Sequence, residues 1–336
     1  MRHWFSLLSF MLLLSACVNA KAAQRGVAVY FDQDLLLPVV NEDRDYTMGV
    51  GIEFFEEEGG LYPLDTFLGR VGSMIGLDPN ASMRRSYLLG SVNYTPDNLA
   101  ATAPVTSDRP YASVLFLANK RVLADRHTAI GVEAQAGLLG TYLAREAQRR
   151  IHKALREARN SEEPVDPQGW GNQISAGGEP TFRLRLARSE LIAEAPGLWD
   201  FSGTGTVSLG YQTNASLGLA LRTGLLQSPF WSLPYDPINR GNFVPAFGQE
   251  EIYLWAAGRA RAVAYDALLQ GQFRDSAHTI PAEDIEPLVF DGGIGVTASW
   301  EALQLTVSAN LKTSEVARGD ADRNQWWGGL YLSVRY

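Results

Sequence analysis

The last strand-length stretch of the chain restricts its fold more than any other feature. Leu330, Leu332, Val334 and Tyr336 share one face of an extended segment, and Gly329, Tyr331, Ser333 and Arg335 share the other. Two-residue alternation that ends on an aromatic at the final position resembles the assembly signal of bacterial outer-membrane proteins. A soluble β-sandwich strand alternates in the same way. The remainder of the chain decides between the two.

Alternating segments recur at Val27–Phe31, Tyr46–Phe55, Ser86–Tyr94, Tyr111–Val122, Thr128–Leu139 and Thr181–Ala193. They continue at Thr204–Tyr211, Ser216–Leu226, Ile252–Tyr265, Leu288–Trp300, Leu303–Lys312 and Trp326–Tyr336. The count is about twelve, an even number as single-chain outer-membrane barrels require. With 32 Gly, 8 Trp, 13 Tyr and 14 Phe, the composition suits twisted strands and interfacial aromatic belts. The expected fold is all-β, a transmembrane antiparallel barrel of about twelve strands. Small residues at Gly203, Gly205, Ser208 and Gly210 suit a filled or narrow lumen.

The N-terminus reads as an export signal: Arg2, an apolar run from Phe5 to Leu14, then Ser15 and Ala16. Val18-Asn19-Ala20 suits ordinary signal peptidase and gives a leader of residues 1–20. Leu14-Ser15-Ala16-Cys17 resembles a lipobox, which gives a leader of 1–16 and a lipidated Cys17. Both imply export, with the barrel domain spanning 26–336. Beyond the leader there is no second apolar run of about 18 residues, so a bilayer would be crossed by strands closed on themselves. Cys17 is the one cysteine, which excludes an internal disulfide. A net charge of −8 argues against nucleic acid as a partner.

The segment Tyr142 to Pro180 interrupts the strands, and Leu143 to Asn160 within it predicts an amphipathic helix. Ala147, Ile151, Ala154, Leu155 and Ala158 form its apolar side. Arg145, Arg149, His152, Arg156 and Arg159 share the other, so one histidine is expected on a solvated basic stripe. Such a stripe is either a plain polar surface or a contact for anionic lipid head groups. Asp32, Asp34, Glu42, Asp43 and Asp45 crowd the first hairpin, either as a solvated loop or as oxygen ligands for a hard cation. There is no P-loop, dinucleotide fingerprint, Cys-rich metal site or Gly-x-Ser-x-Gly elbow. His127 and His278 fall in turn segments, and His3 lies in the leader.

Four blocks resemble one family, the lipid A 3′-O-deacylases of Gram-negative outer membranes. Asp32-Gln33-Asp34 with Asp43-Arg44-Asp45-Tyr46-Thr47-Met48-Gly49 is similar to its acidic-Asn-Asp triplet and Asp-x-x-Tyr-Thr-x-Gly. Tyr94-Thr95-Pro96 and Asp108-Arg109-Pro110-Tyr111-Ala112 form the second block. Gln148 and His152 supply its Gln-x-x-x-His helix, and Gly169-Trp170-Gly171-Asn172-Gln173-Ile174 with Glu179-Pro180 is the fourth. The resemblance implies a calcium-dependent esterase that removes 3′-linked acyl chains, with its site near the outer-leaflet end. It makes His152 the general base, with Asp34, Gln33 and Thr47 in the same pocket. It puts Asp34 and either Glu157 or Glu179 on Ca2+, and Arg149, Arg156 and Arg109 on the substrate. The implied partners are lipid A or lipopolysaccharide, the outer membrane and the barrel assembly machinery, with the protein a monomer. Two departures stand out. Gln33 replaces the family's Asn with one more methylene, and no lysine occurs between Tyr94 and Asp108. An altered barrel with a structural or lipopolysaccharide-binding role is therefore the second expectation, and a passive porin the third.

Overall fold

The computed structural model describes residues 25–37, 44–57, 66, 70, 73–74, 81–160, 164–240 and 243–336. The export segment with Cys17, and Glu42 and Asp43, lie outside the described residues. Twelve antiparallel strands close on themselves in sequence order. They are β1 (Arg25–Gln33), β2 (Asp45–Glu57), β3 (Ser82–Thr95), β4 (Ala112–Ala124), β5 (Thr128–Leu139) and β6 (Glu179–Ala195). The circuit continues with β7 (Trp199–Gly210), β8 (Gln212–Leu225), β9 (Glu250–Asp266), β10 (Leu288–Trp300), β11 (Leu303–Lys312) and β12 (Gln325–Arg335). The alternating C-terminal segment is the closing strand, paired with β1 from Gly26↔Arg335 to Gln33↔Gly328. Closure leaves no open edge, so each strand has a neighbour on both sides for its backbone.

Alternation sorts the side chains as a membrane demands. Val29, Ile52, Leu89, Leu117, Leu184, Leu217 and Val307 are exposed outward, forming an apolar outer wall. Many charged groups turn inward and are paired. Lys120 Nζ lies 3.2 Å from Glu53 Oε1, and the Tyr30 hydroxyl donates to Glu53 Oε2 at 2.5 Å. Arg222 clamps Asp200 through Nε and Nη2, and Arg261 meets both Asp291 and Glu315. Buried charges persist only with such partners, because an unpaired one costs several kcal/mol. Among the described residues no helix is long and apolar enough to cross a membrane.

Three connections at one end have only two or three residues, at 125–127, 196–198 and 301–302, and both strand termini lie there. This is the periplasmic end of such barrels. The described part of a longer connection from this end, 226–240 and 243–249, folds into the lumen instead of away from it. Its short helix α2 (Pro237–Arg240) and the buried Leu233, Tyr235, Phe243, Val244 and Phe247 are seated against the inner wall. Lys120 Nζ donates to Phe243 O, Arg185 Nη2 to Asn239 O and Arg335 Nη1 to Phe247 O. The lumen is thus filled, but not for the reason read from the sequence. Gly203 lies on the outer wall, where an added Cβ would meet Ile192 and Leu219, and the filling comes from a connection.

The strand expectations hold apart from their ends. β3 begins at Ser82 and β7 at Trp199, four and five residues earlier than the alternation alone marked. The insertion between β5 and β6 does carry a helix, α1 (Leu143–Arg159), capped by Asn160 in the left-handed region at φ 48°.

Candidate active site

The site is built from the outer wall at the extracellular end. Counting alternation up β4 from Leu117 and Leu115, Ser113 faces outward. The register then runs Ser113↔Asn93 and Asn93↔Met48, and on to Gln33 of β1. Ser113, Asn93 and Gln33 are polar, face the side where lipid would be, and are nevertheless buried. Thr47 joins them through a β-bulge. The β2–β3 register shifts between Tyr46 and Met48, leaving Thr47 unmatched. A bulge re-aims a side chain. Here Thr47 Oγ1 sits 2.6 Å from Thr95 Oγ1, also buried. Asp45, just before it, has φ 64°, a left-handed conformation that aspartate adopts more readily than most residues.

Asp34 follows β1 in a 3-10 turn (Asp34–Leu36) and is 2% exposed. Gln33 Nε2 donates to Asp34 Oδ1 at 2.9 Å, and the Arg44 amide donates to Asp34 Oδ2 at 3.1 Å. The longer Gln33 side chain therefore still reaches the carboxylate. Its own Oε1 is buried without a hydrogen-bond partner among the described residues. The two other described acids of the hairpin, Asp32 and Asp45, are committed elsewhere. Asp32 turns into the lumen and accepts from Tyr46 and Tyr331, each at 2.9 Å. Asp45 is held by Arg323, whose Nε lies 2.8 Å from its Oδ2. Among the described acids of the hairpin, Asp34 is the one turned to this site.

The β5–β6 connection covers this wall. Ser113 Oγ donates to Gln173 Oε1 at 2.9 Å, and the Ile174 amide donates to Tyr111 O. Trp170, 1% exposed, packs on Tyr111 with ring centroids 4.9 Å apart. A Cβ at Gly169 would lie 2.4 Å from the Tyr111 ring, so glycine is needed for that approach. Ala144 of α1 and Leu99 complete the cluster, and Trp170 Nε1 donates to Gln148 Oε1 at 2.9 Å. The Gly-Trp and Asp-Arg-Pro-Tyr blocks are thus the contact that seats α1. The β3–β4 loop reaches both halves: Leu99 packs under α1, and Asp97 pairs with Arg44 beside Asp34.

His152 corrects the sequence expectation. It is 1% exposed, on the packed stripe with Ala144 and Gln148, while Ala154 faces solvent. Spacing alone put His152 beside the arginines; the docking of Gln148 under Trp170 rotates the buried stripe towards it. Its Nδ1 lies 2.7 Å from Val165 O. A carbonyl only accepts, so Nδ1 carries the proton and Nε2 is the basic nitrogen.

The expected arginines divide. Arg149 is exposed beside Glu146, whereas Arg156 is bound to Pro164 O and Asp166. Arg109, in the β3–β4 connection, is 3% exposed, stacked 4.1 Å over Tyr94 and flanked by Asp45 and Glu315, so it is buried among these partners. Glu157 is exposed, 4.0 Å from Lys153. Glu179 accepts from Ser175 Oγ and from the Phe273 and Arg274 amides, which leaves its carboxylate stapling two connections together. The described residues contain no cluster of three His, Cys, Asp or Glu suited to a metal. Arg323, which joins Asp45 to Asp108 (Nη2–Oδ1 2.9 Å), gave no sequence signal because it lies in a connection remote in sequence.

A twelve-strand barrel with an apolar outer wall, paired charges within and a buried polar site on its outer rim is an integral outer-membrane protein of a Gram-negative bacterium. The profile of the family described as Outer membrane protein LpxR matches residues 5–336. The chain belongs to that family, the lipid A 3′-O-deacylase family that its motifs resemble. Among solved structures it is similar to LpxR from Salmonella typhimurium, at 14% identity and a TM-score of 0.69, covering 93% of this chain and 100% of that one. At that identity the likeness shows the fold. The β domain of the Bordetella autotransporter BrkA also matches, at 11% identity and a TM-score of 0.43, covering 94% of this chain and 100% of that one. No curated protein sequence matches the chain.

Proposed function

We propose that the chain is an outer-membrane esterase that removes 3′-linked acyl chains from lipid A. One observation carries this reading: a buried polar row, Gln33, Asn93 and Ser113 with Thr47 and Asp34, lies on the outside of the barrel above its apolar wall. A lipid in the outer leaflet holds its ester linkages at that boundary between head group and chain. A site inside the lumen would be closed to it.

In this reading His152 Nε2 takes a proton from the attacking water. Water oxygen bonds to the ester carbon, the C–O bond to the sugar breaks, and the imidazolium returns the proton to the departing alkoxide. The Val165 carbonyl, through Nδ1, keeps the ring in the required tautomer. Thr47 and Thr95 line the pocket, and Arg149, exposed beside Glu146, would contact the substrate phosphate. A hard cation would find two oxygen donors here, the Asp34 carboxylate and Gln33 Oε1, which has no hydrogen-bond partner among the described residues. Calcium held there would polarise the ester carbonyl and stabilise the developing oxyanion. Purified protein in detergent should release 3′ acyl groups from lipid A, stop on chelation and recover with added calcium. Activity that survives exhaustive chelation would remove the metal from the account.

The second reading, a lipopolysaccharide-binding barrel without activity, rests on Gln33. Because Gln33 already reaches Asp34, Gln33→Asn should leave activity within about fivefold. Activity that appears only in Gln33→Asn would favour the second reading.

A further inference from the structure

We infer that an acyl chain of the substrate lies in a groove that descends the outer wall from the Asp34 turn across β12 to β8. The inference rests on the deacylase reading and extends it to the site that receives the chain.

The groove is a continuation of the polar row. Gln33, which ends that row on β1, pairs with Gly328 of β12. The same register line passes through Ala309, Ile294, Ala256 and Leu221. Polar groups therefore give way to small and apolar ones along one line at β12. The line also sinks into the membrane. Gly328 is the fourth residue from the extracellular end of β12, whereas Leu221 is the tenth from that end of β8. Four interstrand steps of about 4.8 Å span roughly 19 Å. At a strand tilt of about 40° this descends roughly 12 Å. One leaflet of a ~30 Å hydrocarbon core is about 15 Å deep. The groove thus has the reach of one leaflet.

Two adjoining hollows of about 510 and 620 Å3 lie along the line and share Leu221, Ala256, Ile294 and Ala309. The second is bordered by Leu36 and Leu37, the residues that follow Asp34. A Cβ at Gly328 would fall 2.6 Å from Leu36 Cβ, so the glycine lets this turn fold down onto the outer wall. The chain thereby links the site directly to the groove. Along the line the small Gly328, Ala309 and Ala256 form the floor, and the large exposed Ile294, Leu221, Leu254 and Leu330 stand as its apolar walls. A saturated chain matches the apolar lining, and its ester end would emerge beside Asp34.

The test uses the full-length protein in detergent with lipid A preparations whose 3′-linked chains are short or long. Ala309→Phe fills the groove near its mouth. It should cut the rate on long chains about tenfold while leaving short chains within about twofold. Leu254→Ala, which widens the groove wall, should shift the long-to-short ratio the opposite way. Ala134→Phe, on the outer face of β5, should change neither. Heat-modifiability on gels confirms that each barrel is folded. Equal losses on both chain lengths, or no change in ratio for either variant, would overturn the groove while the esterase stands. Wild-type protein that releases no acyl group of any length would overturn both.

Discussion

The seating of α1 by Trp170 gives a prediction with a calculable size. The indole is 1% exposed, packs on Tyr111, Leu99 and Ala144, and donates one hydrogen bond to Gln148, one turn before His152. Trp170→Ala removes the whole ring from a packed site, a loss of about 3–5 kcal/mol. At about 1.4 kcal/mol per decade, the open population of the cap should rise by roughly a hundredfold to a few thousandfold. Trp170→Phe keeps most of the packing and removes the donor, costing about 1 kcal/mol and raising the open population about fivefold. The barrel wall does not depend on this contact, so the effect should be local. Hydrogen exchange in detergent is the assay. Peptides from 143–159 should lose protection in the order Ala, Phe, wild type, while β3 and β4 exchange as before. Deacylation should fall in the same order. Wild-type protection of α1 in Trp170→Ala would show that the cluster does not hold the helix, and the account of the cap would fail.

Two further predictions concern the loops and the lumen. Burial pushes the Glu315 carboxyl up, but Lys312, Arg261 and Arg109 together hold it well below the usual carboxylate range. A depressed folded value contributes stability that is complete above the unfolded value of about 4.3 and is lost as pH falls towards the folded one. Proteolytic protection of the 313–324 connection should hold from neutral pH to about 4.5 and decline only below it. Glu315→Gln should flatten that acid limb, and a wild-type decline between pH 7 and 5 would refute the assignment. Because the described part of the 226–249 connection fills the lumen, the protein should show no steady conductance in planar bilayers. Replacing 229–247 by a Gly/Ser linker should open one, and porin-like conductance of the native chain would contradict the plug.

Much of the barrel was legible because its signal is local. Alternation depends on nearest neighbours, so each strand, including the closing β12, declares itself. Helix α1 was legible for the same reason, within one residue of its observed end. What was missed depends on partners distant in sequence. His152 lies on the buried stripe because Trp170 binds Gln148, a contact across 22 positions. The Gln148–His152 spacing of four residues was the available clue that both share a face. Arg109 reads as a surface cation until Asp45, Glu315 and Tyr94 close round it. The plug is a Pro-rich connection with no periodicity, and only the three-dimensional wall shows that it points inward. Thr47 on the outer site depends on a bulge, which breaks the alternation that made the strands readable.

The most direct test is lipid A mass spectrometry on outer membranes carrying the wild-type chain or His152→Ala, with both barrels shown to be folded by heat-modifiability. The wild type should convert lipid A to a species lacking its 3′-linked acyl group, and His152→Ala should leave it intact. An unchanged spectrum with folded wild-type protein, or equal conversion by His152→Ala, would contradict the claim that this covered outer-wall site is a histidine-based esterase.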